Sequence, residues 1–380
     1  MKIVLFDYIF ERGRPGITGL SDLVWNWAKH LVALGDEVHI VAPPYPKGAK
    51  PPKGALMHFF PVPPMGYRNI AGRMLTVLRG WLDIRRLGRV DIIHVPEYLA
   101  TAIFAFLSNG TPVILTTPGN IFERIENINE FDWLTTQVYK VAARLSAKYC
   151  ACIIATSAEM QKWWVISGAS PERVVQIPLG VDTNVFQPIS GARAELGWGD
   201  SPSVLFVGRL QKENGAEYLI EAMGSIAKDI PDVVLHIVGS GPDLHKLQEV
   251  VQHADLTNQV QWHGPVALER LPLFYSATDV FVLPRLSRVT PRVLFEAMAC
   301  QVPVITSAIG GIGEFVDDGV TGFTIDPRNP SAIAQRIIQI LRDAALANRM
   351  RKAAREFACR ELDWSVIVRR MRTEVYQRFV

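Results

Sequence analysis

The chain has 380 residues, 49% hydrophobic and 20% charged, a globular composition on a length that exceeds what one hydrophobic core supports. Its 40 basic residues nearly cancel its 37 acidic ones, and the net charge of +3 argues against a dedicated nucleic-acid binder. Four cysteines (Cys150, Cys152, Cys300, Cys359) lack paired zinc-type spacing, so no metal site is expected and a reducing compartment fits.

The first predicted element is the buried strand Lys2-Ile3-Val4-Leu5-Phe6. Asp7 follows where a secretory signal would stay apolar, and the longest apolar stretch, Leu99 to Leu107, is too short for a bilayer. A cytoplasmic protein, at most peripheral to the inner face of a membrane, is the expectation. A glycine-rich loop from Gly13 to Gly19 leads into a helix predicted over Asp22 to Leu34. A strand is predicted over Glu37 to Ala42.

The segment 68–89 holds six arginines (68, 73, 79, 85, 86, 89) against the single acid Asp83. At helical spacing Ile70, Met74, Val77, Trp81 and Ile84 share one face, with Arg68, Arg79 and Arg86 opposite. Such a helix either rests on an anionic membrane or packs its apolar face on the sheet of the first domain.

Further strands are predicted over Asp91 to Val95, Val113 to Thr116 and Cys152 to Thr156. His94 ends the first of these, as a cleft residue or a satisfied core histidine. Trp25, Trp27, Trp163 and Trp164 are expected in packing rather than as base-stacking platforms. Proline, serine and glycine at Gln187 to Gly191 mark a domain boundary, with domains over 1–188 and 189–362.

Ser203-Val204-Leu205-Phe206-Val207 repeats the opening plan, followed by the loop Gly208 to Gly215 and a helix from Ala216. Strands over Val233 to Val238, Val280 to Leu283 and Val302 to Thr306 complete the alternation. Strand–helix alternation predicts an α/β chain of two Rossmann-like, doubly wound domains facing across a cleft, with ligands at the carboxyl ends of the strands.

Three loops carry candidate chemistry. Gly208-Arg209-Leu210-Gln211-Lys212-Glu213-Asn214-Gly215 is either a phosphate clamp at a helix N-terminus or a tight turn with a surface arginine. In Pro284 to Ala299 a loop with Arg285, Arg288 and Arg292 meets a helix starting near Pro291, with Thr290 as its expected cap. Glu296 in that helix accepts ribose hydroxyls or complements a helix dipole. In Arg14 to Asp22 the glycines allow close backbone approach to a ligand. Gly239-Ser240-Gly241-Pro242 lacks a third glycine and is predicted to be only a turn.

These pieces sit among others. In chain order they are Ile177-Pro178-Leu179-Gly180-Val181-Asp182-Thr183, Phe186-Gln187-Pro188, Gly208-Arg209-Leu210 and Val238-Gly239-Ser240-Gly241-Pro242. Then come Thr278 to Pro284, Leu294-Phe295-Glu296-Ala297-Met298-Ala299-Cys300, Pro303-Val304-Ile305, Gly310 to Glu314 and Asp318 to Gly322. In that order and spacing the chain resembles the retaining glycosyltransferases of family 4, which have the GT-B fold. The likeness runs through nearly the whole chain.

The resemblance implies a donor UDP-, GDP- or ADP-sugar held by the second domain, an acceptor held by the first, and no metal. It makes Arg209 the diphosphate clamp and Glu296 the ribose ligand. It places Gly16, Thr18, Gly19, Lys212, Asn214, Val266, Arg288, Thr290, Pro291, Arg292, Val293 and Leu294 around the donor, and His94 and Asn120 on the acceptor side. It also implies a last helix, about Asp363 to Phe379, that crosses back to the first domain.

The chain departs from the family at several of these positions. Asn214 stands where relatives carry lysine, Arg288 replaces the first glutamate of a paired motif, and Val289-Thr290-Pro291 replaces Gly-Phe-Gly. Pro118 replaces a histidine, and Thr18-Gly19 a glycine pair. Two readings follow: an active sugar transferase building a polysaccharide, glycolipid or small glycoside with a reorganised donor pocket, or a catalytically silent nucleotide-sugar binder acting as a partner subunit.

Overall fold

In the computed structural model, which describes residues 1–7, 19–45, 51–61, 69–117 and 133–380, the chain forms two parallel sheets. The first has strands β1 (Lys2–Phe6), β2 (Glu37–Ala42), β3 (Leu56–Phe59), β4 (Ile92–Val95), β5 (Val113–Thr117), β6 (Cys152–Ala155) and β7 (Val174–Gln176), in the order β3-β2-β1-β4-β5-β6-β7. The second has β8 (Ser203–Val207), β9 (Val234–Val238), β10 (Val260–Gly264), β11 (Val280–Leu283), β12 (Val304–Ser307) and β13 (Gly322–Ile325), in the order β10-β9-β8-β11-β12-β13. The chain adds strands outward in one direction, then returns and builds the other way. The reversal falls between β1 and β4 in one sheet and between β8 and β11 in the other. Loops from neighbouring strands part there, which makes the carboxyl edge a natural ligand position.

The central strands are buried on both faces because their sequences leave no polar side to wet. Ile3, Val4, Leu5 and Phe6 are fully buried, as are Val204, Leu205 and Phe206. Phe6 stacks on Phe60 with ring centroids 5.8 Å apart and meets Phe104 edge-on at 4.8 Å. Trp27 and Trp164 are core residues. Cys150, Cys152 and Cys300 are buried free thiols; burial pushes Cys150 up to about 12 and Cys152 up to about 11, which makes them inert.

The arginine-rich helix spans Ile70–Arg86, capped by Asn69, whose side chain accepts from the Gly72 amide at 2.9 Å. It packs on the sheet as one sequence reading allowed, through a different stripe. Gly72, Thr76, Val77, Gly80, Trp81 and Ile84 are buried, whereas Met74, expected inside, is 40% exposed. The small residues Gly72, Thr76 and Gly80 let the helix lie close to the sheet, and this turns Met74 outward with Leu75, Leu78 and Leu82. Arg68 lies outside the described residues.

Contacts divide the chain into one unit of Met1–Pro178 with Trp364–Val380 and a second of Leu179–Asp363. Leu179 to Phe186 goes with the second unit for a reason legible in its hydrogen bonds. The Val181 amide donates to the Leu362 carbonyl at 2.8 Å, the Asp363 carboxylate accepts from the Thr183 hydroxyl at 2.6 Å, and Arg355 donates to the carbonyls of Thr183 and Phe186. After Asp363 the helix Trp364–Arg370 continues through a wider π-type turn, Met371–Val375. Trp364 and Tyr376 are buried in the first unit, and Arg372 donates to the buried Asp36 carboxylate at 2.8 Å.

Two helical glycines separate packing from propensity. A Cβ on Gly80 would lie 2.3 Å from a ring carbon of Phe6, whereas a Cβ on Gly224, in the helix Ala216–Asp229, meets nothing within 4 Å. Alanine favours a helix interior by about 1 kcal/mol over glycine, but overpacking a core costs about 1–3 kcal/mol. Gly80→Ala is therefore expected to lower the denaturation midpoint and Gly224→Ala to raise it. Shifts of the same sign in both would contradict this packing.

Candidate donor site at the carboxyl edge of the second sheet

The loop after β8 is pinned from two sides. The Gly208 amide donates to the Val238 carbonyl and the Leu210 amide to the Ser240 carbonyl, each at 3.0 Å. A Cβ on Gly239 would lie 1.9 Å from the Gly208 oxygen, and one on Gly241 would lie 2.1 Å from the Leu210 oxygen. The segment predicted to be only a turn is thus the backbone wall against which Arg209 is set. On the other side, Gly215 takes φ +73°, and a Cβ there would lie 1.8 Å from the Pro284 oxygen. Only glycine allows the start of the helix Ala216–Asp229 to press against the loop after β11.

Asn214 joins the two loops. Its side chain is buried, donating from Nδ2 to the Arg209 carbonyl at 2.7 Å and accepting on Oδ1 from Arg285 Nη1 at 2.8 Å. The Leu286 amide adds a bond to the Glu213 carbonyl at 2.8 Å. Arg285 is half-buried, its Nη2 faces the Ser287 hydroxyl at 3.5 Å, and its carbonyl accepts from the Ser307 hydroxyl at 2.6 Å. Arg209, Lys212 and Arg288 are exposed. The structure therefore brings Arg209, Asn214 and Arg285 into one network. Sequence reasoning singled out Arg209 and Asn214 but gave Arg285 no role. The available signal was its place directly after Pro284, the first residue beyond β11.

The helix beyond this loop spans Arg292–Ala299. Pro291, not Thr290, occupies its cap position, with extended backbone and no side-chain capping bond. Thr290 was expected to cap; it is buried instead, one residue too early, because proline holds the entry extended. Leu294 is buried, Arg292 and Val293 are half-buried, and Val266 is half-buried in the loop after β10. Glu296 is buried, and its Oε2 accepts from the fully buried Tyr275 hydroxyl at 3.0 Å. Burial and the neighbouring carboxylate hold the Tyr275 hydroxyl well above its usual range, so it stays a donor that orients Glu296. Among the described residues no three His, Cys, Asp or Glu side chains gather as a metal site would require.

In the first unit, His94 takes the second of its two readings, the satisfied core histidine. It is fully buried, stacked on Trp27 at 4.2 Å, with Nδ1 against the Tyr376 hydroxyl at 2.6 Å and Nε2 against the Thr116 hydroxyl at 2.7 Å. Burial lowers its pKa to about 3. Gly16, Thr18, Pro118 and Asn120 lie outside the described residues, and Gly19 opens the helix Gly19–Ala33. The sequence had pointed to no role for Asp7 in binding or packing. It sits at the carboxyl end of β1, fully buried, accepting from the Tyr45 hydroxyl at 2.6 Å and the Ser21 hydroxyl at 3.2 Å.

Burial raises the Asp7 pKa to about 6, well above the usual carboxylate range. The folded state then holds its proton more tightly than the unfolded chain, so Asp7 costs stability as pH rises from about 4 through about 6. Asp7→Asn should gain thermal stability relative to the parent across that window and hold the gain above it. A stability difference that stays flat from pH 4 to pH 7 would refute the assignment.

Residues 191–357 match the family model for glycosyl transferases group 1, and residues 17–185 match that for glycosyltransferase family 4. A GDP-mannose-dependent alpha-(1-6)-phosphatidylinositol monomannoside mannosyltransferase of Mycolicibacterium smegmatis is 34% identical over 199 residues, 50% of this chain and 52% of that protein. The chain thus spans about half the length of this curated relative. Among solved structures, sucrose-phosphate synthase from Thermosynechococcus elongatus superposes with a TM-score of 0.84 at 24% identity, covering 99% of this chain and 98% of that one. Anabaena Alr3699/HepE, in complex with UDP and glucose, superposes with a TM-score of 0.77 at 22% identity, covering 99% of this chain and 100% of that one. At these identities the superpositions speak to the fold.

Proposed function

Because this chain belongs to the group 1, family 4 glycosyltransferases and has their GT-B fold, we propose that it moves a sugar from a nucleoside diphosphate to a hydroxyl acceptor. The observation that carries this reading is the site at the β8/β11 reversal, where Arg209 stands on a loop pinned between Gly239–Gly241 and Asn214 while a buried carboxylate, Glu296, is oriented by Tyr275. Arg209 clamps the diphosphate and Glu296 takes ribose hydroxyls. Lys212, Asn214, Val266, Arg288 and the segment Thr290 to Leu294 surround the donor, with Gly16, Thr18 and Gly19 approaching the distal phosphate. His94, locked in the core, is left out of the acceptor side, where Asn120 remains.

Transfer proceeds with retention. The acceptor oxygen bonds to the anomeric carbon on the face the diphosphate leaves, the carbon–oxygen bond to phosphate breaks, and the acceptor proton passes to the departing phosphate oxygen. Arginine and lysine side chains supply the charge against the diphosphate without a metal. One curated relative is named for GDP-mannose and one structural neighbour holds UDP, so the base is left to experiment.

Calorimetry with UDP, GDP and ADP, followed by transfer assays with the matching sugars, tests the reading. One diphosphate should bind, and Arg209→Ala should weaken it about 10- to 100-fold, the size of a lost charged hydrogen bond. Binding with no transfer across a broad donor and acceptor panel would favour the silent partner subunit.

We further propose that the protein works at the cytoplasmic face of a membrane, with a lipid-linked or polymeric acceptor. No helix among the described residues is long and apolar enough to cross a bilayer. Support comes from the solvent face of Ile70–Arg86, where Leu75, Leu78 and Leu82 are 41%, 40% and 54% exposed beside Arg79, Arg85 and Arg86. Leu78→Glu with Leu82→Glu should cut binding to anionic vesicles at least about tenfold, since each leucine contributes about 1.5–3 kcal/mol when buried. Equal sedimentation of parent and variant with such vesicles would end this proposal.

A further inference from the structure

We propose that Arg285 is a second diphosphate ligand in this chain and that Asn214 is the positioning residue that aims it. The inference rests on the donor-site reading above and names a residue to which that reading gives no task. Three observations support it. First, Arg285 follows the end of β11 by two residues, at the reversal between β8 and β11, so its backbone stands where the carboxyl ends of two central strands part. Its carbonyl is fixed by the Ser307 hydroxyl at 2.6 Å and the next amide by the Glu213 carbonyl at 2.8 Å, which leaves the side chain on a rigid base.

Second, the Asn214 side chain takes hold of the guanidinium at Nη1 with Oδ1 while its Nδ2 holds the carbonyl of Arg209. One buried amide thus sets the spacing between the loop that carries the exposed arginine and the arginine of the neighbouring loop. A guanidinium held through its edge keeps a planar fork, the geometry that matches phosphate oxygens two at a time.

Third, Arg285 is half-buried whereas Arg209 and Lys212 are exposed. An anion meeting a partly desolvated guanidinium interacts through less water than one meeting a surface side chain, so Arg285 contributes more per contact. Gathering Arg209, Lys212 and Arg285 on two adjacent loops also concentrates positive potential, which a diphosphate relieves and a neutral nucleoside does not.

The experiment is calorimetry on the full chain with UDP, GDP and ADP and with the matching nucleoside. Arg285→Ser should weaken the diphosphate about 10- to 100-fold while leaving the nucleoside within about twofold. Arg285→Lys, which keeps a cation, should recover part of the loss. Asn214→Ala should weaken the diphosphate less than Arg285→Ser does, because the charge remains but is no longer aimed. The combined Asn214→Lys with Arg285→Ser returns a cation from the other end of the same hydrogen bond and should bind the diphosphate more tightly than Arg285→Ser alone.

Thermal unfolding of each variant guards against misfolding. If Arg285→Ser does not fold, Arg285→Lys and Asn214→Ala still decide: parent-like diphosphate affinity in both would overturn the proposal. Parent-like diphosphate affinity in Arg285→Ser, with affinity lost in Arg209→Ala, overturns the role of Arg285 and leaves the donor reading standing. Failure of the folded parent to bind any of the three diphosphates overturns both.

Discussion

The close seating of Gly215 against the Pro284 carbonyl is the constraint on which the second unit's site depends. With φ at +73° and no room for a Cβ, this residue lets the start of a helix touch the loop from the neighbouring strand. Everything else at the reversal follows from that contact. The Asn214 amide can bridge two loops only because the backbone next to it is that near. Gly239 and Gly241 do the same on the opposite side, so the segment carrying Arg209 is held between two backbone walls rather than by its own side chains. A rigid base of this kind is what allows long, flexible arginines to present charge at a defined place, since the entropy of ordering them is reduced before a ligand arrives.

The electrostatics of the site divide in the same way. Positive charge is carried on loops with access to water, at Arg209, Lys212 and Arg288. The carboxylate of Glu296 is buried in a helix and aligned by the Tyr275 hydroxyl. A buried acid with a neutral donor at one oxygen keeps its orientation at little cost, while exposed cations adjust to the anion they meet. Such an arrangement suits a ligand with a charged middle and a hydroxylated end.

Much of this was legible in the sequence, and the omissions have a common origin. The central strands β1, β2, β4, β5, β6, β8, β9, β11 and β12 announce themselves as apolar runs because both faces are covered. The four strands that went unpredicted, β3, β7, β10 and β13, are the outermost strands of the two sheets. Their sequences, such as Leu56-Met57-His58-Phe59 and Val260-Gln261-Trp262-His263-Gly264, mix polar and apolar residues because an edge is half in water. Arg209 and Glu296 were singled out through the family resemblance, and Asn214 as a departure from it. The partnership of Asn214 with Arg285 was not legible, since the two are 71 positions apart and only the sheet reversal brings them together. Met74 misled because helical periodicity marks an apolar stripe without saying which half of it small residues will press to the sheet.

The second unit is continuous in sequence, but the first is not: Trp364 to Val380 returns to it after Asp363. Trp364 and Tyr376 fill its interior, and the Tyr376 hydroxyl completes the bonding of His94. During synthesis the second unit therefore has its whole core available before the first does, reversing the usual amino-to-carboxyl order of maturation. Until Trp364 to Val380 emerges, the earlier-made unit carries a water-exposed gap where two large aromatic rings belong, and a nascent chain stalled before that segment is a target for chaperones and proteases.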